Sequence, residues 1–447
     1  MRTIFVMITL LLISGCSSSK LLTFKNENKT GNKKVIIDKR KNVLVSGSII
    51  LEEIFNNSDV DDKMRQLEVA KKRVAIEKTQ GNIVLNATAS AGIQSEYYDQ
   101  TKPLLQTSLK AQKLLLDSQN LKKTIELLEL DVEILGVDTF MEADKKINEL
   151  TVAYTQLNFS QQSASLMSTY LNEYEKKKQL INKAVASGVL SKSKSLELKS
   201  LEKESYKKLT QFRFDVERSK DFIDSNLASS YERLRPEFLS RQSINSSKIF
   251  AVKGSKQIGK INLQIERLSV KRSKLSSSQK PTTRLEAVIA TPVSEDRDYS
   301  IFSGLSVQFP VKDGGKSAAE ISLLESQKGV LYSRKSALVK ESDYQMKELN
   351  TFIEFNNQQI ELVKERLNYA KQRIKEFDLI SKSGRSDVSI VAKEILSAAK
   401  LDLEILSLEK AKETRILEAL GKTYTTCKVF KLCVDIEKVI AKTIEEN

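Results

Sequence analysis

The chain has 447 residues and a formal net charge of +15, with 73 Lys and Arg against 58 Asp and Glu. It contains no His and no Trp, and only three Cys, which excludes Ser-His or Cys-His nucleophile pairs, His-ligated metals and a four-Cys zinc site. Gly and Pro number only 15 and 5, too few turns for an all-β sandwich or a Gly-rich dinucleotide-binding enzyme, so long helices with rare breaks are expected.

Arg2 precedes an apolar run from Ile4 to Ile13, followed by Ser14, Gly15 and Cys16. A basic start, a short apolar run and a small-residue junction predict a signal peptide over 1–15. The run is too short to remain as a membrane-spanning helix. Ile13-Ser14-Gly15-Cys16 resembles a bacterial lipobox, which implies lipidation of Cys16. Ser17, not Asp, follows the Cys, so an outer-membrane destination is implied over inner-membrane retention. Residues 16–45 are polar and basic and read as a tether. No later stretch holds 18 consecutive apolar residues.

Asp117 and Asp313 lie 196 positions apart, as do Gln112 and Gln308, and Ser187-Gly188 and Ser383-Gly384. Three landmarks at one offset predict a duplication. Each half reads as strand, turn, strand, long helix, tight break, long helix. From Ile83, odd positions through Ile93 are apolar, whereas even positions are mostly polar. Leu105, Thr107, Leu109 and Ala111 alternate with Gln106, Ser108, Lys110 and Gln112 in the partner strand. In the second half Leu285, Ala287 and Ile289 oppose Glu286, Val288 and Ala290. Ile301, Leu305 and Val307 then oppose Ser300, Gly304, Ser306 and Gln308. Such segments of ~10 residues fit barrel strands, apolar to lipid and polar to lumen. They fit a soluble amphipathic sheet as well.

Long helices are expected over 118–186 and 316–382, with Gly136 and Asp138 as candidates for a break or re-cap in the first. Met346, Leu349, Ile353, Asn356, Ile360, Val363, Leu367, Ala370, Ile374 and Phe377 recur in steps of three and four, a coiled-coil seam. Leu209, Phe212, Val216 and Ile223 repeat the spacing on the returning helix. The helices stop at Ser187-Gly188 and Ser383-Gly384, where Gly supplies a left-handed cap, and restart past Ser191 and Asp387. Segment 228–282 reads as an equatorial insert with a helical patch from Ile258 to Leu268. In an oxidising compartment Cys427 and Cys433 of the tail could pair; two free thiols are the alternative. The adjacent acids Glu52-Glu53 and Asp61-Asp62 read as solvated helix faces, not as a catalytic pair.

Four membrane strands cannot close a barrel, and an open edge in lipid leaves backbone groups unpaired. Three copies give twelve strands and room for an aqueous lumen. At this point the sequence resembles the TolC-type outer-membrane efflux protein family over about residues 46–421. The stretch from Gly304 to Lys316, with Pro310 and Asp313-Gly314-Gly315, is similar to that family's strand-to-helix turn. Its first-half copy at Asp117 lacks both glycines. Ala153-Tyr154-Thr155-Gln156-Leu157 resembles the first long helix, and the two Ser-Gly breaks resemble the helix tips.

The resemblance implies a mainly α fold with a small β part: antiparallel coiled-coil hairpins plus four transmembrane strands per chain, joined as a trimeric twelve-stranded barrel and helical tunnel. The first repeat would occupy 46–227, the second 283–421 and the tail 422–447. The implied role is a passive exit duct for tripartite efflux or type I secretion, lipid-anchored in the outer membrane and extending into the periplasm. Implied partners are two further copies, a periplasmic adaptor and an inner-membrane pump or ABC transporter. The adaptor would dock at Gly188, Val189, Leu190 and Ser191, and at Gly384, Arg385, Ser386 and Asp387. The alternative is that those residues are turns required only for the fold. Some members carry an acidic constriction about two turns past the second tip. Here Ile390, Val391, Ala392 and Lys393 stand there, with acids only at Asp387 and Glu394. The alternative from another class is a lipid-anchored periplasmic adaptor, which would carry one hairpin rather than two. No enzymatic activity, nucleic-acid partner, cofactor or metal is expected.

Overall fold

The computed structural model describes residues 48–96, 100–116, 119–226, 232, 234, 255–277, 280–290, 300–308, 314–382 and 388–445. Cys16 and the tether lie outside these residues, as do Asp117, Asp313 and the second tip, Gly384, Arg385, Ser386 and Asp387.

Helix α1 (Ile49–Asn56) starts at Ser48, whose hydroxyl accepts from the Leu51 amide, and Asn57 then caps α2 (Ser58–Thr79) through the Asp59 amide. Strands β1 (Val84–Glu96) and β2 (Gln100–Leu116) lead into α3 (Asn120–Ala186), which returns as α4 (Lys192–Asn226). Helix α5 (Lys256–Ser277) precedes β3 (Thr282–Ala290) and β4 (Ser300–Gln308). Then follow α6 (Lys316–Lys382), α7 (Val388–Thr423), a short 3-10 turn (Thr426–Lys428) and α8 (Cys433–Glu445).

The 196-residue offset governs the helices. Both α3 and α6 have 67 residues, and their first residues, their last residues and the starts of α4 and α7 all stand 196 apart. At ~1.5 Å per residue each long helix runs about 100 Å. Helices α2 and α5 have 22 residues each and hold the same place before a strand pair. The range read as an insert therefore contains a counterpart of α2, and the helix in it extends well past Leu268.

The strands form one antiparallel sheet in the order β1-β2-β3-β4, so β2 of the first half pairs β3 of the second. The register sets Leu85 against Ala111, Leu109 against Ile289, and Ile289 against Ile301. Since side chains alternate, one face collects these apolar residues together with Leu285, Leu305 and Val307. All of these large apolar residues are exposed.

The helical core follows the seam. Leu349, Ile360, Val363, Leu367 and Ala370 are buried against α7. There Ala392, Ala398 and Ala399 are fully buried and let the helix axes approach. Asn356, the seam's one polar member, is buried and donates to the Leu408 carbonyl at 2.7 Å. On α4, Leu209 and Ile223 are buried on the inner face.

Two expectations are corrected. The first long helix has no break at Gly136 or Asp138: α3 runs through both. Gly136 is buried beneath α8, where a Cβ would meet Ile440 and Ile444 at 3.5 and 3.7 Å, ordinary van der Waals contact. Glu53 is buried rather than on a solvated face. Phe302 stands on the polar face of the sheet and folds over Gly304, where a Cβ would lie 3.0 Å from its ring.

Candidate functional site

Three regions carry functional geometry: the two-faced sheet, the helix tips and the contacts between hairpins. On the polar face of the sheet, Lys110 Nζ lies 3.1 Å from Glu286 Oε2, and Gln112 Nε2 donates to Glu286 Oε1 at 3.1 Å. Thr88 and Ser108 share a hydroxyl hydrogen bond across the β1–β2 pair. One face is thus hydrogen-bonded and wettable, the other apolar and uncovered. That division suits a boundary between lipid and water.

The first tip is built on Gly188, whose φ of +73° is a left-handed conformation that favours glycine. Its amide donates to the Val185 carbonyl at 3.1 Å, and the Leu190 amide reaches back to Ala184 at 3.0 Å. Leu190 turns into the core with Ile181, Leu198 and Val391, while Val189 is 83% exposed. The Ser191 hydroxyl accepts from the Lys194 amide and starts α4. Of the eight expected tip residues, the four of the first tip are thus together, with Val189 as the outward apolar side chain. At the strand-to-helix turn, Gly314 and Gly315 have φ of +67° and +85°, a pair that side-chain-bearing residues would strain.

Polar contacts tie the hairpins together above the tips. Lys177 of α3 pairs with Asp378 of α6. Tyr170 of α3 donates to Asp402 of α7 at 2.6 Å, and Lys371 of α6 lies 3.4 Å from the same carboxylate. Burial, and then Asp402, push the Tyr170 phenol well above its ordinary value, so it remains a donor. Burial likewise pushes Tyr174 up to about 12. Lys393 pairs with Glu197, its counterpart at the 196-residue offset, and the pair raises the lysine above its usual value. Glu394 is held by Arg373 at 3.1 Å, while Val391 and Ala392 are fully buried. Beyond the second tip, then, the chain presents paired charge and buried apolar residues. Among the described residues no group of acids, Cys or His could hold a metal.

The tail carries the expected cysteine pair, held by a contact on α3 that sequence patterning does not reveal. Cys427 and Cys433 are disulfide-bonded, with Cα atoms 4.9 Å apart. The loop they close is clasped by Asp144 of α3, which is fully buried and accepts from the Thr426 and Cys427 amides at 3.1 and 2.6 Å. Burial raises the Asp144 carboxyl to about 6 despite those bonds. Asn148, one turn on, donates to the Leu417 carbonyl and to Thr426 Oγ1. A lone Asp in a periodic helix reads as solvated, and only the 282-residue contact shows otherwise.

No family model matches the sequence, and no curated protein matches it. The fold does match solved structures. The CmeC outer membrane channel of Campylobacter jejuni is 9% identical, with 95% of this chain and 96% of that one covered and a TM-score of 0.68. CusC, whose structures describe folding and transmembrane channel formation, is 12% identical over 85% of this chain and 91% of its own, with a TM-score of 0.68. The outer membrane protein VceC of Vibrio cholerae is 13% identical over 83% and 95%, at 0.67. The chain therefore has the fold of the TolC-type outer-membrane channels.

Proposed function

We propose that the chain is the outer-membrane channel-tunnel of an export system, a passive duct in which three copies close a twelve-stranded barrel above a helical tunnel. One observation carries this reading: a four-stranded sheet with an exposed apolar face is accompanied in each half by a 67-residue helix and a returning helix, placed at one 196-residue offset. A sheet left open at β1 and β4 in lipid would strand its edge amides and carbonyls, at several kcal/mol each, so the strands of further copies must supply the missing partners. Cys16 carries the lipid anchor. The tips at 188–191 and 384–387 face a periplasmic adaptor, which couples the duct to an inner-membrane pump or ABC transporter. The polar face of the sheet lines the lumen. Energy comes from the pump; the duct supplies a wet path.

The test is reconstitution. The full chain, purified in detergent and added to a planar lipid bilayer, should run as a trimer by mass photometry and give stepwise ionic conductance. A monomeric preparation that inserts without conducting would refute the reading.

A further inference from the structure

Helices α2 and α5, the two that lead into strand pairs, carry their charge unevenly. Away from the sheet their cations are paired: Arg65 with Asp61 on α2, and Lys256, Lys260 and Arg267 of α5 with Glu437, Asp138 and Asp131. Toward the sheet the acids run out. From Arg267 to Leu285 the chain holds six cations and no acid. Among the described residues Lys271, Lys274 and Lys280 have no ion-pair partner, and Lys271 and Lys280 are exposed. The same end of α2 carries Lys72 and Arg73, both exposed and likewise unpaired among the described residues. The helix dipole favours cations only within the last turn. Lys271 and Arg73 lie more than a turn before the ends of their helices, at Ser277 and Thr79, so the dipole does not account for them.

We propose that this basic collar, at the sheet-proximal ends of α2 and α5, binds the phosphate headgroups of anionic glycerophospholipids in the leaflet nearest the helices. The inference rests on the membrane placement of the sheet proposed above and names the lipid chemistry that its rim selects. Position supports it. Only the four residues 80–83 and the four residues 278–281 separate each helix from its strand. The exposed apolar face begins at once: Ile83 precedes β1, Leu85 is the second residue of β1, and Val307 stands opposite Thr283. Lys113 is exposed on that same apolar face, opposite Leu285. Beyond the hydrocarbon core a headgroup layer is roughly 5–8 Å thick. Lys280 stands in the link that enters this layer. The helical cations lie within about 10 Å of the helix ends, roughly one Debye length at physiological salt.

Charge and repetition narrow the occupant. Over the whole chain cations and acids are mixed, 73 against 58, so a run of six cations without an acid departs from an ordinary solvated face. Lysines beside an anionic leaflet gain attraction that a neutral headgroup does not supply. An acidic protein would match the charge but has no reason to sit beside an exposed apolar sheet. In three copies the two basic ends recur around the rim. A ring suits an annulus of fluid lipid, whereas a single docked partner needs only one spot.

The experiment uses the full-length chain in a neutral detergent, mixed with equal amounts of phosphatidylglycerol and phosphatidylcholine. Native mass spectrometry of the wild type should show phosphatidylglycerol adducts favoured at least about fivefold. That preference should fall severalfold as salt rises from about 0.1 to 0.5 M. A variant combining Lys72→Gln, Arg73→Gln, Lys271→Gln, Lys274→Gln and Lys280→Gln should bring the ratio close to one while bilayer conductance persists. Lys199→Gln/Lys203→Gln/Lys207→Gln, which removes exposed cations from the tip-side half of α4, should leave the ratio unchanged. A conducting wild-type trimer without the preference, or with one that salt does not weaken, overturns the collar and leaves the channel reading standing. A collar variant that keeps the preference overturns it too, as does an α4 variant that loses it equally, which would make it an effect of net charge. Capture of poly-glutamate ahead of phosphatidylglycerol would assign the cations to an acidic protein and also overturns it. A wild type that neither trimerises nor conducts removes the membrane placement, and the collar with it.

Discussion

Asp144 sets up a pH dependence opposite to that of a surface ion pair. Its carboxyl has an ordinary value of 3.8 and is raised to about 6 by burial. Between those values the folded chain holds a proton that the unfolded chain has released. Stability from this group is therefore greatest below pH 4, falls as pH rises through 4 to 6, and is flat above, with a total loss on the order of 2–3 kcal/mol. Asp144→Asn removes the titration. The urea midpoint of the wild type should rise relative to that of this variant as pH drops from 7 to 4.5; a constant difference would show that the carboxylate does not titrate in that window. Gly188 makes a second case. No atom lies within 4 Å of the point a Cβ would occupy, so a substitution there meets only its positive φ. Gly188→Val should cost about 1–2 kcal/mol locally and leave trimer and membrane insertion intact while reducing export. Gly188→Asn, which tolerates that φ, should export close to normally. If Gly188→Val exports normally and still cross-links to the adaptor, the tip is not a docking surface.

At the scale of elements, Asn356 trades stability for register. Its amide is spent on the Leu408 carbonyl in the middle of an apolar seam. Asn356→Leu should raise the thermal midpoint, because it buries an apolar side chain at a seam position, and loosen the α6–α7 alignment. Cysteine pairs placed at Arg415 and Glu348, bridged at 2.5 Å in the native register, should then cross-link less cleanly. A lower midpoint would contradict this. The seam itself was legible because steps of three and four over many turns have no other reading. The Ser-Gly breaks and the offset of 196 were legible because chain geometry leaves few residues able to stop a helix. Gly136 misled for the same reason: glycine usually marks a stop, but here it lies buried beneath α8 and the helix continues. The kinship of α2 with α5 was hidden because their sequences share only length and place, not landmarks. Phe302 escaped notice because alternation fixes which face a residue occupies but not whether an aromatic is tolerated on the polar one. The contacts that hold the hairpins together, such as Lys177 with Asp378 and Tyr170 with Asp402, join residues some 200 positions apart and leave no local trace.

For the whole molecule, anchoring and closure are separable. If Cys16 is the lipidated first residue, the mature chain should exceed the mass of residues 16–447 by a diacylglyceryl group and, commonly, one further acyl chain. Cys16→Ser should block that processing, yet some protein should still fractionate with the outer membrane if three copies close the proposed barrel, since such a barrel would hold itself there independently of any anchor. Mass spectrometry of the intact protein decides the point; an unmodified terminus at another residue would end the lipid-anchor reading.

The equality of α3 and α6, at 67 residues each, acts as a ruler written twice in the chain. Deleting seven residues from α3 alone would raise its end by about 10 Å and leave α4 overhanging. Repairing that hairpin would then stagger it against the other, splitting pairs such as Lys393 with Glu197. Shorter hairpins of matched length need deletions in four helices, none of which is useful without the rest. The reach of the molecule is thus guarded against gradual change, and lineages should differ in it by whole coordinated steps or not at all.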